Sequence, residues 1–263
     1  MIYVVLAVLG LCFGSFVQAL VWRLHKKKDI VKARSQCESC GHELSILDLI
    51  PLLSWLTLKG HCRYCKKPIH WSAPLMELIL AAVFVVSYIF WPVTIAGGQW
   101  VLFTSWLSVS VGLLALAVYD LRFMLLPSSI LYPTATIASV GRLIYVAGFA
   151  DDKPRAALAW LVSVAIAGGI FWLIYEFSRG RVIGFGDVRL GLISGTVLAD
   201  PLLSLQMIFL ASLLGTIAIL PGLLSRRKTL TTKVPYGPFL IAATFIVLLF
   251  GSSFTNWYQR LLT

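Results

Sequence analysis

Charge is scarce in this sequence. Only 13% of its 263 residues are Asp, Glu, Lys or Arg, about half of the roughly 25% that soluble globular domains carry. Hydrophobic residues make up 59%, which excludes disorder as well, because disordered chains combine low hydrophobicity with high net charge. The chain cannot cover a water-facing surface with so few charges. Its composition therefore predicts a polytopic membrane protein whose main partner is the lipid bilayer.

Several common motifs are also missing. The sequence contains no P-loop, no dinucleotide-binding fingerprint and no serine-centred nucleophile elbow. Acidic residues are few, with 11 against 22 basic residues and a net charge of +11. In a soluble protein this excess would suggest nucleic-acid binding, but in a membrane protein it first reports topology. We expect no nucleic-acid partner.

Long apolar runs define the expected fold. Runs close to the length of a transmembrane helix occupy residues 2–22, 73–91, 101–119, 127–147, 156–175, 203–223 and 235–250. A shorter one spans 190–198 and contains Gly191 and Gly195. Short or interrupted spans often mark functional sites. We predict an all-α polytopic membrane protein with about eight transmembrane helices.

The basic residues predict the orientation. With eight spans, both termini lie on one side of the membrane. All but four of the 22 Lys and Arg residues fall in the loops after the first, third, fifth and seventh spans; the exceptions are Arg142, Lys153, Arg155 and Arg260. The positive-inside rule places those loops in the cytoplasm and both termini outside. Residues 2–22 lack a preceding basic segment, so we expect a retained span rather than a cleaved signal peptide.

The only long polar segment, residues 23–72, is called the insert below. It holds two C-x-x-C pairs, Cys37/Cys40 and Cys62/Cys65, a spacing typical of a structural zinc site. Two disulfides or four free thiols are the alternatives, but disulfides are rare in the cytoplasm. We predict three parts: a first helix (1–22), a cytoplasmic zinc-binding domain (23–72) and a seven-helix membrane domain (73–263).

Two aspartates stand at the ends of apolar runs. Asp120 follows Tyr119 at the end of the third run, and Asp187 opens the sixth. Carboxylates at membrane depth are costly and usually functional, and the topology puts both at the cytoplasmic edge. Two adjacent carboxylates can share one proton. One then deprotonates a water molecule while the protonated partner polarises a scissile carbonyl, which is the chemistry of aspartyl proteolysis.

The surroundings of these aspartates allow other readings. Gly184 and Gly186 precede Asp187, and we expect them to adopt backbone conformations closed to other residues and to let a substrate strand approach. Alternatively, Asp120 pairs with Arg122 or faces lipid headgroups. Asp187 would then only stabilise a helix N-terminus, where its carboxylate meets the helix dipole.

Motifs along nearly the whole chain resemble those of type IV prepilin peptidases, which belong to the G-x-G-D aspartyl protease group. The matching segments are Gly14-Ser15-Phe16 with Arg23, the four cysteines, residues 48–55, residues 74–77 ending in Glu77, residues 119–122, residues 184–187 and residues 235–239. Presenilin-like members of that group lack the cysteine-rich domain, so the pilin-processing enzymes are the closer resemblance.

The resemblance implies a two-step enzyme of the bacterial cytoplasmic membrane. It would cleave the basic leader of prepilins and pseudopilins on the cytoplasmic face, with Asp120 and Asp187 as catalytic residues supported by Tyr119, Gly184 and Gly186. It would then N-methylate the new N-terminal residue with S-adenosylmethionine. The candidates for substrate binding or methyl transfer are Gly14, Ser15, Arg23, Glu77, Pro235 and Gly237.

Four positions depart from the family pattern. Gln18 replaces a usual Asn, His25 a frequent Pro, Ser128 a common Asp and Arg189 a usual Lys. None is an aspartate of the pair or a cysteine. Two alternatives stay open: a peptidase without methyltransferase activity, and a non-catalytic membrane scaffold or transporter subunit whose acids line an ion path.

Overall fold

The computed structural model describes residues 1–30, 34–225 and 234–262. These residues are almost entirely helical, and the only β-structure among them is two isolated bridges in the insert. Five of the basic residues that enter the orientation argument lie outside the described residues: Lys32, Arg226, Arg227, Lys228 and Lys233.

Seven helices of the described chain are long and apolar enough to cross a membrane. They are α1 (Ile2–His25), α3 (Ser72–Ile89), α4 (Gln99–Phe123), α5 (Ser128–Gly148), α6 (Lys153–Ser178), α8 (Pro201–Leu224) and α9 (Gly237–Leu262), while α2 (Leu53–Thr57) is a short helix of the insert. The predicted fold class is confirmed. The weak sixth span forms α7 (Phe185–Leu198), whose 14 residues extend only about 21 Å, against a hydrocarbon core of about 30 Å.

Packing divides the chain into two compact units, Met1–Ile89 and Phe90–Thr263. The helix α3 thus belongs with α1 and the insert. The predicted division into three functional parts stays a prediction.

Two glycines bring α1 and α3 of the N-terminal unit into close contact. A Cβ atom on Gly10 would lie 2.5 Å from the Cα of Ala81, and one on Gly14 would lie 2.4 Å from the Cα of Glu77. Only glycine lets the two backbones approach this closely, as in other small-xxx-small helix pairs. The G-x-x-x-G spacing therefore builds a tight helical hairpin, and the insert connects its two helices.

The short helix α7 lies among α5, α6, α8 and α9 in the C-terminal unit. Gly191 and Gly195 allow this: Cβ atoms there would lie 2.7 Å from the carbonyl oxygen of Ala167 and 2.8 Å from that of Ser163. The helix is mostly buried by protein, which explains how so short an element is accommodated at membrane depth.

Two arginines tie α5 to α7. Arg189 of α7 donates from Nη1 to the Ser128 hydroxyl at the start of α5, at 3.0 Å. Arg142 of α5 donates from Nη2 to the carbonyl oxygen of Val197 near the end of α7, at 2.7 Å. A cation near a helix C-terminus is favourable because the last carbonyls carry partial negative charge. Both ends of α7 are therefore held in register with α5.

Candidate active site and metal centre

Asp120 occupies the last turn of α4 and is only 6% exposed. After Phe123 the helix ends at Met124, whose left-handed φ of 52° turns the chain toward Leu126 and Pro127. The Asp120 Oδ2 atom accepts a hydrogen bond from the backbone N–H of Gly237, at 3.1 Å. This bond joins residues 117 positions apart and fixes the carboxylate against the first residue of α9.

Asp187 is the third residue of α7, and its Oδ2 atom accepts from the backbone N–H of Gly184 at 3.2 Å. The carboxylate therefore caps the N-terminus of its own helix. This is the structural role that the sequence analysis offered as an alternative to catalysis. The same carboxylate also interacts electrostatically with the Asp120 carboxylate, as proteolysis requires. The fold thus brings Asp120 and Asp187, called the aspartate pair below, into one site, and capping and catalysis are compatible roles.

The glycines near Asp187 serve a different purpose from the one expected. Neither Gly184 nor Gly186 has a positive φ, so the prediction of unusual backbone conformations was wrong for both. Gly186 is needed for space, because a Cβ there would lie 3.0 Å from the Cβ of Leu126. Leu126 follows the helix of Asp120, so this contact packs the two aspartate-bearing segments against each other.

Gly237 contacts Asp120, a role that the sequence did not predict for it. A Cβ on this residue would lie 2.7 Å from Oδ2 of Asp120 and 3.6 Å from Cδ2 of Leu126. It was expected to serve substrate binding or methyl transfer together with Pro235. Its observed contact is with the aspartate pair, whereas Pro235 lies in the connection that leads to α9. The glycine between two prolines was the only local signal for this role.

Two tyrosines lie beside the pair. The ring of Tyr119 packs on Phe123, with ring centroids 4.7 Å apart, so its visible role is to support the end of α4. Tyr236, which the sequence did not single out, packs edge-on against Phe171 with centroids 5.7 Å apart. Its hydroxyl shares a hydrogen bond with that of Ser212 and is in electrostatic range of Asp187.

The four cysteines of the insert converge on one point. Their sulfurs all lie within 4.8 Å of one another, and the Sγ atoms of Cys37 and Cys65 are 3.9 Å apart. Four zinc–sulfur bonds of about 2.3 Å in a tetrahedron place the sulfurs about 3.8 Å apart. The cluster could therefore hold a zinc ion with little rearrangement.

The two cysteine pairs sit on matching turns. Cys37 donates its N–H to the carbonyl oxygen of His42, and Cys62 donates to that of Lys67, each at 2.9 Å. The residue after each pair, Gly41 or Lys66, has a positive φ of 72° or 56°. These turns aim backbone N–H groups at the sulfurs. Burial raises the pKa of the Cys37 thiol, but the N–H groups of Cys40 and Ser39 and the neighbouring thiols lower it to about 7. The Lys67 N–H lowers the pKa of Cys65, but burial and the shared hydrogen bonds among the thiols raise it to about 11, so the cluster loses its first proton at Cys37.

Asp48 connects the second turn to the rest of the insert. Its carboxylate accepts hydrogen bonds from Nε of Arg63 at 2.7 Å, from the Tyr64 hydroxyl at 3.2 Å and from the Ser45 hydroxyl at 2.8 Å. Burial raises the pKa of this carboxyl, but the hydrogen bonds from Arg63 and Ser45 outweigh burial and lower it. The insert is therefore held by an ion pair as well as by the cysteine cluster.

The remaining predicted residues gather in the N-terminal unit. The backbone N–H of Leu52 donates to the Glu77 carboxylate, and Ser15 lines the same cavity as Glu77. Gly14 packs beneath Glu77. Arg23 is 9% exposed and donates to the carbonyl oxygen of Ile30 at 2.8 Å. Four residues that the resemblance named as a group, Gly14, Ser15, Arg23 and Glu77, thus surround one region.

Together these features define a class of protein: a polytopic membrane enzyme with a paired-carboxylate site in one unit and a four-cysteine cluster in the other. Known proteins of this class match the chain. Residues 8–91 match the bacterial peptidase A24 N-terminal domain, and residues 107–220 match the type IV leader peptidase family. No solved structure is significantly similar to it.

Relatives named prepilin leader peptidase/N-methyltransferase align along most of the chain. The protein of Aeromonas hydrophila is 32% identical, over 88% of this chain and 76% of its own length. That of Pseudomonas aeruginosa is 30% identical, over 96% and 91%, and that of Bacillus subtilis is 29% identical, over 98% of each. The chain belongs to the type IV leader peptidase family. It is an enzyme, a peptidase with methyltransferase activity, and a multi-pass protein of the bacterial inner (cytoplasmic) membrane.

Proposed function

We propose that Asp120 and Asp187 together hydrolyse the peptide bond between the basic leader and the mature part of prepilins and pseudopilins. The observation that carries this proposal is the convergence of two carboxylates from the ends of α4 and α7, each held by a glycine N–H. Because like charges at short range oppose double ionisation, the pair holds one proton between them.

The chemistry follows from that shared proton. The ionised carboxylate takes a proton from a water molecule, which attacks the scissile carbonyl carbon. The protonated carboxyl group donates to the carbonyl oxygen as it gains charge. Collapse of the tetrahedral adduct breaks the C–N bond, and the amine of the mature pilin leaves with a proton from the pair. Site burial increases the strength of each of these electrostatic interactions.

The location of the pair suits such a substrate. We infer that the insert and the pair face the cytoplasm and that both termini lie outside, because the basic loops cluster on that side. A prepilin with one membrane span and a cytoplasmic leader would present its cleavage bond at the same depth. Asp187 lies in the first turn of α7, which this orientation would place at the same edge.

We further propose that the enzyme methylates the new N-terminus and that the four-cysteine cluster holds a structural zinc ion. S-adenosylmethionine, when bound, supplies a methyl group to the amine nitrogen, with its C–S bond breaking to leave a neutral thioether and the nitrogen losing a proton to water. Cys37, Cys40, Cys62 and Cys65 would hold zinc, and their geometry fits its tetrahedral preference.

The decisive experiment co-expresses the protein with a prepilin and follows leader removal on a gel. We expect Asp120→Asn and Asp187→Asn each to abolish cleavage at normal membrane abundance. Asp151→Asn removes the same charge at an exposed site and should leave cleavage intact, which makes it the matched control. Cleavage by both variants of the pair would show that the acids are structural. The mass of the mature pilin, greater by one methylene unit if methylated, separates the two-step enzyme from a peptidase alone.

A further inference from the structure

The N-terminal unit contains a cavity of about 280 Å³, close to the lower end of the range for small-molecule sites. It is lined by the end of α1, both cysteine turns and the start of α3. The lining includes residues of very different chemistry: Ser15, Trp22, Arg23, Glu38, Trp55 and Glu77. Neither aspartate of the catalytic pair lines it.

Two buried carboxylates line this cavity, those of Asp48 and Glu77, and only Asp48 is ion-paired. Glu77 is 7% exposed, and its Oε2 atom accepts from the N–H of Leu52 at 2.8 Å. Ser15 lines the cavity together with Glu77. Asp48 is ion-paired with Arg63, whereas no described basic side chain forms an ion pair with Glu77. A buried carboxylate that has a hydrogen bond but no cation is a suitable site for a cationic ligand.

A strained turn presents the N–H group to Glu77. Leu52 has φ 58° and ψ −49°, in a region that residues with a side chain rarely adopt. The N–H of Leu53 bonds the carbonyl oxygen of Pro51 at 2.6 Å, which closes a γ-turn around Leu52. Such strain costs about 1–3 kcal/mol and persists where the surroundings impose it, commonly at ligand sites. The turn directs a backbone donor at Glu77, the buried carboxylate of the cavity that, unlike Asp48, has no ion-pair partner.

The rest of the lining complements a ligand with several kinds of group. The indoles of Trp22 and Trp55 offer flat apolar faces for an aromatic base. Arg23 supplies a guanidinium for a carboxylate, and Glu38 supplies an anion for an ammonium group. S-adenosylmethionine carries all the matching groups: a sulfonium cation, an adenine ring and an amino-acid end with both charges.

We propose that this cavity binds the methyl donor, with the Glu77 carboxylate beside the sulfonium. The inference rests on the proposed methyl transfer and adds where the donor binds and how its charge is recognised. The neutral thioether left after transfer has no cation for Glu77. The same carboxylate therefore holds the donor more tightly than the spent product and favours exchange of one for the other.

The test measures binding rather than turnover. Three probes are titrated into the full-length, zinc-loaded protein in detergent: S-adenosylmethionine, its neutral analogue S-adenosylhomocysteine, and sinefungin, which places an ammonium near the sulfonium position. We expect the wild type to prefer the two cations by about tenfold or more, the lower end of what a hydrogen bond to a charged group contributes. Glu77→Gln should lose that preference while retaining S-adenosylhomocysteine within about twofold.

Two further variants make the result decisive. Glu77→Asp keeps the charge and should keep the preference for cations. Glu43→Gln removes an acid that is ion-paired with Arg34 and does not line the cavity, so it should bind all three probes like the wild type. Unchanged preference in Glu77→Gln would overturn the proposal. So would equal loss of all three probes in both Glu77 variants, because that pattern marks a purely structural residue.

The outcomes also distinguish this inference from the proposed function. If the wild type binds no probe and leaves the mature pilin unmethylated, the proposed methyl transfer itself is wrong. If the wild type binds and methylates while Glu77→Gln retains its preference for cations, only the placement of the donor is wrong.

Discussion

Replacing Gly237 by alanine tests how the fold positions Asp120. The new Cβ would lie 2.7 Å from Oδ2 of Asp120, whereas an unstrained non-bonded contact needs about 3.5 Å. The carboxylate or the start of α9 must therefore move by roughly 0.8 Å. This movement stretches the hydrogen bond from the Gly237 N–H, now 3.1 Å.

A displacement of this size should slow chemistry without unfolding the protein. Misplacement of a reacting group by about 1 Å can cost about a hundredfold in rate, so we expect kcat to fall by about tenfold to a hundredfold. KM should change little, because the added methyl group would meet Asp120 and Leu126. Exchanging glycine for alanine in a helix is otherwise favourable by about 0.5–1 kcal/mol.

The assay is leader removal by the purified protein over a range of prepilin concentrations, with membrane abundance and melting temperature measured in parallel. Gly169→Ala is the matched control, since a Cβ at this position in α6 meets nothing within 4 Å. A Gly237→Ala variant with wild-type kcat would refute the positioning role. Equal losses in both variants would assign the effect to helix packing in general.

Three further predictions concern the insert and the orientation. Cys62→Ser should lower bound zinc below about half an ion per chain, measured by elemental analysis, because structural sites rarely tolerate loss of a thiolate; full occupancy would contradict the four-cysteine site. Asp48→Asn should expose the insert to protease. Since the folded pKa of Asp48 is lowered, its stabilisation is complete above the unfolded value of about 3.9 and declines as the pH falls through the folded pKa. The protease difference should thus be constant from about pH 8 to pH 5, and a midpoint near neutrality would refute this. A reporter enzyme that is active only outside the cytoplasm should be active when fused after Thr263. An inactive fusion would show that α7 does not cross the membrane.

Much of the fold follows from hydropathy alone, because a bilayer leaves few alternatives to helices. The bounds differ most at two helices: the apolar run of α9 ends at residue 250 but the helix continues to Leu262, and that of α7 begins at residue 190 but the helix starts at Phe185. The first turn holds Asp187 and Gly186, whose polarity and small size conceal a helix start. The same turn contains the carboxylate that caps it, so the local sequence encoded both features.

The contacts that position the site were harder to predict. The bond between Gly237 and Asp120 joins distant segments, and no local pattern reveals it. The departures at Ser128 and Arg189 looked unrelated in the sequence, yet the two side chains bond each other. The strained turn at Leu52 depends on Glu77 for its partner. Residue types thus indicated candidate positions, whereas their contacts required the packing.

The tight pairing of α1 with α3 through Gly10 and Gly14 also changes the thermodynamics of the insert between them. Its two ends are anchored by a helical hairpin, so the insert explores its conformations as a closed loop rather than as a free chain. An unfolded loop with anchored ends has less conformational entropy than a free chain, so folding the insert costs less entropy. A segment of this size can then be ordered by the four-cysteine cluster and two ion pairs, and it can unfold and refold without the membrane helices separating.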